Sequence, residues 1–542
     1  MSKIRTAKVT NYPSIYKQIL KNKKTCFKSP LVPNFVPPNW LICPMNIKTL
    51  FAKPFAQYIY NKQVKEQANA LKNQQLILNQ LVKSAANTQF GKEHHFSQIS
   101  DYASFKQNVP IRDYEGLKIY IEKIKSGEAN VLWKGKPLYL AKTSGTTSGV
   151  KYIPISKDSI SNHINGARDA ILTYMATTGN VDFAGGKMIF LSGSPELERV
   201  GGIPTGRLSG IVNHHVPAYL RGNQLPSYTT NCIEEWEEKL DKIVEETLGK
   251  DLTLIGGIPP WMQMYFDRIV QVTGKPVKEV FPNLQVLVQG GVNFEPYKAK
   301  LFETIGKPVD TIELFPASEG FFAFQDQRDQ SGLLLNTNSG IFFEFIPLAE
   351  IHKEHPTRYS LAEVQLNENY ALIINNNAGL WGYNIGDTVK FVSLNPYRVI
   401  VTGRVKHFIS AFGEHVIGEE VEQAMLKATA QMDAQVIEFT VAPFIQQAAG
   451  KSYHEWLIAF EKQPVDMEAF AKLLNQFMCE KNVYYNDLIT GNILEPLHIT
   501  VLDKDAFINY MRAEGKLGGQ NKVPRLSNDR KLAEGLLQYI SH

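Results

Sequence analysis

The sequence predicts an α/β fold: a large N-terminal domain of mixed β-sheets and helices, and a small C-terminal α+β domain. Three observations carry this. The chain has 542 residues, well beyond the roughly 250–300 at which single hydrophobic cores stop growing. From about Val131, short apolar runs ending in Gly or Ser alternate with longer helical stretches, the pattern of buried strands and crossover helices. Around residues 400–404 the text changes to a short strand–turn–helix pattern followed by two long apolar strands. The expected boundaries are a basic, poorly ordered extension over 1–44, a main domain over 45–400 and a C-terminal domain over 401–542.

The elements follow in order. Residues 1–44 show neither helical nor strand periodicity, and prolines break them in "SPLVPNFVPPNW". From about Phe51, "FAKPFAQYIYNKQVKEQANALKNQQLILNQLVKSA" spaces its apolar residues for one or two amphipathic helices. "KPLYLAKTSG", "GKMIFLSGS", "DLTLIGGIPPWMQMYFDRIV", "NLQVLVQGG" and "VDTIELFPASEG" are predicted strands that end in Gly- or Ser-containing loops. "TNCIEEWEEKLDKIVEETLG" is a predicted helix among them. "SGIFFEFIP", "LAEVQL", "NYALIINNN", "DTVKFVS" and "YRVIVTGR" have shorter spacing, which predicts an antiparallel or mixed β region. In the last part, "VKHFISAFGEHVIGEEVEQAMLKATAQ" reads as strand, turn and helix. Strands in "VIEFTVAP" and "YHEWLIAFEK", a helix through "MEAFAKLLNQFM" and a strand in "LEPLHITVL" follow.

Composition narrows the function classes. Hydrophobic residues at 44% and charged residues at 20% are ordinary for a soluble globular protein. The formal net charge is +5, but residues 1–60 hold ten Lys or Arg and no Asp or Glu, which leaves the remainder near −5. The basic lead lacks a helical period or an aromatic platform, so no nucleic-acid partner is expected. No run approaches 18 apolar residues, so no membrane partner is expected either. Cys26, Cys43, Cys232 and Cys479 are too few and too scattered for a disulfide scaffold or a zinc cluster. They fit a reducing, cytoplasmic setting.

The chemistry-bearing motifs are loops at strand ends. "KTSGTTSG" sets Thr143, Ser144, Gly145, Thr146, Thr147, Ser148 and Gly149 side by side after an apolar run. Glycines let backbone N–H groups approach one point, and hydroxyls add neutral donors, so the stretch suits a phosphate as well as it suits a plain surface turn. Lys151 would add charge if the chain folds back. The spacing is not that of a Walker A loop. "VQGGVNFEP" puts Gly290 and Gly291 where a flat base would lie against backbone. "FPASEG" supplies Glu319, either a solvated loop carboxylate or a hard oxygen ligand for Mg²⁺ beside phosphate. "YNIGD" supplies Asp387, either a turn cap or an acceptor for two ribose hydroxyls. His214 and His215, in "NHHVPAYLRG", would point to opposite faces of a strand and so do not form a metal pair. Trp261, Met262 and Met264 are core residues or an acyl-pocket lining.

Taken in order, these pieces and "GRVKHFISAFGEHVIGEEVE" at 403–422 resemble the adenylate-forming superfamily of acyl-CoA synthetases, luciferases and peptide-synthetase adenylation domains. Within it the chain looks most like the GH3 acyl acid–amido synthetases and their bacterial relatives. "FAKPFAQYIYNKQ", "TQFGKEHHF" and "IRDYEGLKIYIEKIKSG" resemble that family's opening region, and "GGQNKVPRLSND" resembles its closing "QxKxPR" element. The likeness spans about residues 45–530. It implies a large adenylate-forming domain with a mobile C-terminal lid, using ATP and Mg²⁺. It implies that residues 143–149 form the phosphate loop, with Thr146 among the catalytic residues, and that Gly290, Gly291, Ala317 and Ser318 line the adenine and α-phosphate. Glu319 would bear on the metal, Asp387 would hold the ribose, Arg404 would lie near the hinge, and Lys522 would be the mobile lysine that meets the phosphates. "GRVKHFISAFGEHVI" reads more like the general superfamily hinge than like the plant hormone enzymes.

The implied reaction is ATP-dependent adenylation of a small carboxylic acid, then acyl transfer to an amino acid amine with release of AMP and pyrophosphate. The substrate carboxylate is itself the nucleophile, so the protein supplies positioning and charge neutralisation. Two alternatives stay open: an acyl-CoA synthetase that passes the same intermediate to a thiol, and a nucleotide-binding homologue without turnover.

Overall fold

Two helices open the described chain, α1 (Ile47–Ala68) and α2 (Ala70–Ala85), divided at Asn69. Helix α2 turns Ile77, Leu78, Leu81, Val82 and Ala85 to the core on one face, the stripe expected of an amphipathic helix. Buried Gln74 in its middle donates to the carbonyls of Thr337 and Ile341, both at 2.9 Å, and accepts from Phe343 N. These bonds satisfy an amide that would otherwise be a costly buried polar group. This computed structural model describes residues 47–144, 150–216, 221–291, 294–351, 353–405, 408–409, 414, 416–445, 452–490, 494–517, 522–527 and 529–541. The 1–44 extension falls outside them.

Strands β1 (Tyr139–Ser144) and β2 (Val150–Ile155) pair antiparallel and belong to a four-stranded sheet with Ile203–Gly206 and Glu198–Val200. After helix α3 (Ile160–Thr178) the main sheet begins. Strands β3 (Lys187–Phe190), β4 (Leu252–Gly257), β5 (Val286–Gly290) and β6 (Asp310–Ala317) run parallel. Strand β4 is a continuous apolar run, with Leu252, Leu254 and Ile255 fully buried. That is the reason it sits between two strands with helices over its faces: each such side chain gains roughly 1.5–3 kcal/mol from burial. Helix α4 (Pro259–Thr273) follows β4 with two prolines in its first turn, where their missing N–H groups have no helical partner to lose. Helix α5 (Glu295–Ile305) lies between β5 and β6.

At β6 the sheet changes character. Strand β7 (Gly320–Phe324) turns back antiparallel on β6, and the next strands, Leu333–Leu335, Ile341–Pro347, Asn369–Asn376, β8 (Tyr383–Leu394) and β9 (Tyr397–Arg404), are all antiparallel to their neighbours. Among the described residues the sheet has eleven strands. The parallel half and the antiparallel half thus meet at the β6–β7 hairpin. The expected strand "LAEVQL" is instead a turn with one bridge from Leu366 to Phe391. Glu363 is the reason: its carboxylate accepts from both Ser360 N at 2.8 Å and Ser360 Oγ at 2.7 Å, which curls the segment locally.

A three-stranded sheet forms in the C-terminal part. Helix α6 (Gly418–Gln431) leads into β10 (Gln435–Phe444) and β11 (Tyr453–Lys462), and helix α7 (Met467–Lys481) into β12 (His498–Leu502), which is parallel to β11. This C-terminal lobe has its own core, including Trp456, Ile458, Phe470 and Met478, all fully buried. The stretch 400–404 lies within β9. Among the described residues, no helix is long and apolar enough to cross a membrane.

Candidate active site

The site gathers at the carboxyl ends of β5 and β6, where parallel strands give way to antiparallel ones. Open α/β sheets bind ligands outside the carboxyl ends of their parallel strands. Strand β5 ends in Gly290, and Gly291 follows it. Gly290 lies so close to β6 that a Cβ there would stand 2.4 Å from the Leu314 carbonyl oxygen. Gly291 has φ +85°, a left-handed conformation that favours glycine.

Ser318 and Glu319 form the two-residue turn between β6 and β7, since Ala317 pairs directly with Gly320. The turn is held from two sides. On α3, Asn162 Oδ1 accepts from Phe321 N at 2.7 Å, and its Nδ2 donates to Phe321 O at 3.2 Å. On the antiparallel half, Asn376 Nδ2 donates to the Glu319 carbonyl at 2.8 Å. The Glu319 side chain faces Tyr383, whose hydroxyl lies 3.5 Å from Oε1.

Asp387 on β8 and Arg404 on β9 are direct register partners. They form an ion pair, Arg404 Nε to Asp387 Oδ1 at 2.9 Å, and Arg404 Nη2 also donates to Ile385 O at 3.1 Å. Lys522 comes from the C-terminal lobe and donates to the carbonyl of Gly291. Lys151 closes the ring from the other side. The chain does fold back, with Lys151 opposite Thr143 in the β1–β2 hairpin, and Lys151 Nζ stands 5.6 Å from the Tyr114 ring centroid.

Electrostatics bind these groups together. Burial pushes the Glu319 carboxyl above its usual range, and Asp387 pushes the same way against Arg404 and Lys151. Burial also raises Asp387, opposed by Arg404 and Lys522. Solvent reaches the Lys522 side chain, yet the crowded cleft draws its ammonium down to about 8, with Asp387 opposing and Arg404 assisting. Three cations and two carboxylates therefore share one cleft, leaving an excess positive charge for a polyanion. A carboxylate held above its range ionises readily when a cation arrives. Among the described residues no three His, Cys, Asp or Glu side chains are grouped to hold a metal. Glu319 alone fits Mg²⁺, an ion that takes one or two carboxylates and completes its shell with phosphate oxygens and water.

The expected site residues fall into three groups. Gly290, Gly291, Ala317, Ser318, Glu319, Asp387, Arg404 and Lys522 come together in this cleft. Thr143 and Ser144 end β1. Gly145, Thr146, Thr147, Ser148 and Gly149 lie outside the described residues. His214 and His215 lie at the C-terminal end of a short helix, Leu208–Asn213, not on a strand. His214 Nε2 pairs with Pro195 O at 2.8 Å and His215 Nε2 with the Tyr139 hydroxyl at 3.1 Å. Trp261 and Met262 are core residues of α4. Three residues went unassigned in the sequence: Tyr383, which stood in the quoted "YNIGD", Asn376, in an Asn run at a strand end, and Tyr114, which carried no signal.

Residues 60–228 match the GH3 family N-terminal domain, 334–404 the GH3 family central domain and 419–531 the GH3 family C-terminal domain. The chain is 22% identical over 541 residues to an indole-3-acetic acid-amido synthetase, GH3.3 of Arabidopsis thaliana, covering 83% of this chain and 88% of the relative. It is 22% identical over 389 residues to a jasmonoyl–L-amino acid synthetase, JAR4 of Nicotiana attenuata, covering 59% of this chain and 67% of the relative. In fold it resembles the GH3.15 acyl acid amido synthetase, with TM-score 0.74 at 15% identity over 94% of this chain and 98% of that one. A 2-hydroxyisobutyryl-CoA ligase is more distant in fold, with TM-score 0.53 at 12% identity over 88% and 92% of the two chains.

Proposed function

This chain belongs to the GH3 family, and from that premise we propose that it is an AMP-forming acyl acid–amido synthetase acting on a small carboxylic acid and an amino acid. The observation that carries this reading is the reach of Lys522 from the C-terminal lobe to Gly291 O, in a cleft that also holds Glu319, Asp387 and Arg404.

In the first half-reaction a carboxylate oxygen of the acid attacks the α-phosphorus of ATP. The new P–O bond replaces the bond to the β-phosphate, and pyrophosphate leaves. In the second, the amino acid nitrogen attacks the acyl carbon, the bond to AMP breaks, and the nitrogen gives up a proton. Neither step asks the protein for a nucleophile, so catalysis lies in positioning and in offsetting charge. Gly290 and Gly291 let the base approach the backbone. Asp387, fixed through Oδ1 by Arg404, accepts from the ribose hydroxyls. Lys522, Lys151 and the hydroxyls of 143–149 offset the phosphate charge. Glu319 would hold Mg²⁺, which would supply Lewis-acid neutralisation of phosphate charge when bound. The C-terminal lobe turns about the chain that leaves the end of β9 between the two steps, taking Lys522 away from the cleft. The free thiols Cys232 and Cys479 support a reducing, cytoplasmic setting.

The test is pyrophosphate release from Mg-ATP with a panel of aryl, indole and short alkyl acids, with pooled amino acids or coenzyme A, followed by mass spectrometry. Acid-dependent pyrophosphate with an amide mass is the expected result. A thioester mass makes the protein an acyl-CoA ligase. ATP binding without turnover on any acid overturns the catalytic reading.

A further inference from the structure

Three residues beyond Lys522, the chain carries a second cation that the reaction does not use. Arg525 is largely buried, at 12% side-chain exposure. Its Nε donates to Glu422 Oε1 on α6 at 2.9 Å, and its Nη1 donates to Glu438 on β10 and to the Phe439 carbonyl. Its guanidinium also lies over the Phe439 ring, 4.7 Å from the centroid. All of these partners belong to the C-terminal lobe. The surrounding backbone is anchored there as well: Val441 N donates to Arg525 O at 2.9 Å, Ser527 N donates to Val441 O at 3.0 Å, and Thr440 Oγ1 donates to Pro524 O at 2.8 Å. The segment 524–527 is thereby added to the edge of β10.

One partner is different. Arg525 Nη2 reaches 2.9 Å to the hydroxyl of Tyr297, in the first turn of α5 of the large domain. The same hydroxyl donates to Glu438 Oε2 at 2.7 Å. Among the described residues, Tyr297 is the only hydrogen-bond partner of Arg525 outside the C-terminal lobe. Helix α5 follows β5, the strand after whose end Gly291 receives Lys522. One short segment therefore touches the large domain twice, through Lys522 at the end of β5 and through Arg525 at the start of α5.

We propose that Arg525 and Tyr297 form a clamp that positions Lys522 for the first half-reaction and that must part before the second. Arg525 is a positioning residue. It never touches the nucleotide, and it acts by carrying the register of the lobe to Lys522. The geometry explains why an arginine is used. Its planar fork can satisfy two carboxylates, a carbonyl and a phenol in fixed directions, which a lysine cannot. It also explains why the contact is breakable: a phenol hydrogen bond at a domain seam is worth far less than the two ion pairs that keep Arg525 on its own lobe. This inference rests on the amido synthetase reading for its two half-reactions, but not for the placement of Lys522.

The test uses the full chain with Tyr297→Phe as the mild variant, Arg525→Gln as the severe one and Lys300→Ala as a control. Lys300 makes a separate contact from α5 to the lobe, 2.6 Å to Glu461. First, without substrate, competitive labelling by acetic anhydride and mass spectrometry gives the pH midpoint of Lys522. The expected midpoint is about 8 in the wild type. It rises by a unit or more toward the ordinary lysine value of about 10.4 in Tyr297→Phe, and stays in place in Lys300→Ala. Second, using the acid that best releases pyrophosphate, ATP–pyrophosphate exchange falls at least tenfold in Tyr297→Phe. Amide formation from chemically prepared acyl-adenylate is unchanged. An unmoved Lys522 midpoint in Tyr297→Phe overturns the clamp, as does an equal loss in Lys300→Ala. If Arg525→Gln does not fold, Tyr297→Phe alone decides. Wild-type protein that exchanges with no acid overturns the functional reading, while the labelling midpoint still decides the clamp.

Discussion

Replacing Gly291 by alanine would separate two roles of one small residue. Its φ of +85° costs an L-residue about 1–2 kcal/mol. The new Cβ would stand 2.6 Å from Lys522 Nζ, whereas ordinary contact begins at 3.4 Å. The ammonium must therefore retreat by ~0.8 Å (3.4 − 2.6), and a misplacement of about 1 Å in a reacting constellation costs on the order of 10²-fold. Lysine is flexible, so this second effect hardly touches stability. The expected result is an unfolding midpoint lower by a few degrees, at about 2–4 °C per kcal/mol for a domain of roughly 150–250 residues. ATP–pyrophosphate exchange falls about 100-fold. In a Lys522→Ala background the thermal loss persists and the further fall in exchange is well below 100-fold, since only the approach of the base to the Gly291 backbone remains to be lost. Exchange at the wild-type rate in Gly291→Ala would refute the reasoning, and so would an equal further loss in the Lys522→Ala background.

Three other outcomes follow from the same geometry. Lys522→Ala lowers adenylation about 10²–10³-fold. The working form of Lys522 is the ammonium, so kcat/KM for Mg-ATP falls as pH rises through about 8, and a pH–rate profile of Lys522→Ala lacks that limb. Glu319→Gln raises the magnesium needed for half-maximal exchange about tenfold, a shift of about 1.4 kcal/mol. Because burial and Asp387 raise the Glu319 carboxyl, its ionised form burdens the fold at pH 7, so thermal unfolding of Glu319→Gln is unchanged or later. A large thermal loss with unaltered magnesium dependence would count against that role. Arg358→Ala, far from the chemistry, leaves fully buried Glu344 without its bidentate partner at 2.9 and 2.8 Å. Urea unfolding should register a loss of about 3–5 kcal/mol.

Much of the architecture was legible because it depends on local pattern. The apolar run of β4 reads as a buried strand, and the stripe on α2 reads as a helix face. "LAEVQL" misled for a local reason of its own, since Glu363 bonds back to Ser360 and wins over strand pairing. His214 and His215 misled because a six-residue helix, Leu208–Asn213, is too short to announce its period. The core role of Trp261 and Met262 needed the packing of α4, as sequence leaves a core and a pocket lining alike in composition.

The site divides along the same line. By itself the sequence supplied the candidate residues, because hydroxyl- and glycine-rich turns, a carboxylate after "FPAS" and a lysine in "QNKVPR" are properties of residue type and order; each motif alone left its reading open, and only their joint order resembled one family. Only the tertiary structure decided that Glu319, Asp387, Arg404, Lys151 and Lys522 share one cleft. Their charges are set by burial and by one another, and neither is written locally. The same holds for Tyr297 and Arg525, 228 residues apart in sequence. A contact across a domain seam arises from how two lobes pack, and no short-range pattern in either lobe encodes it.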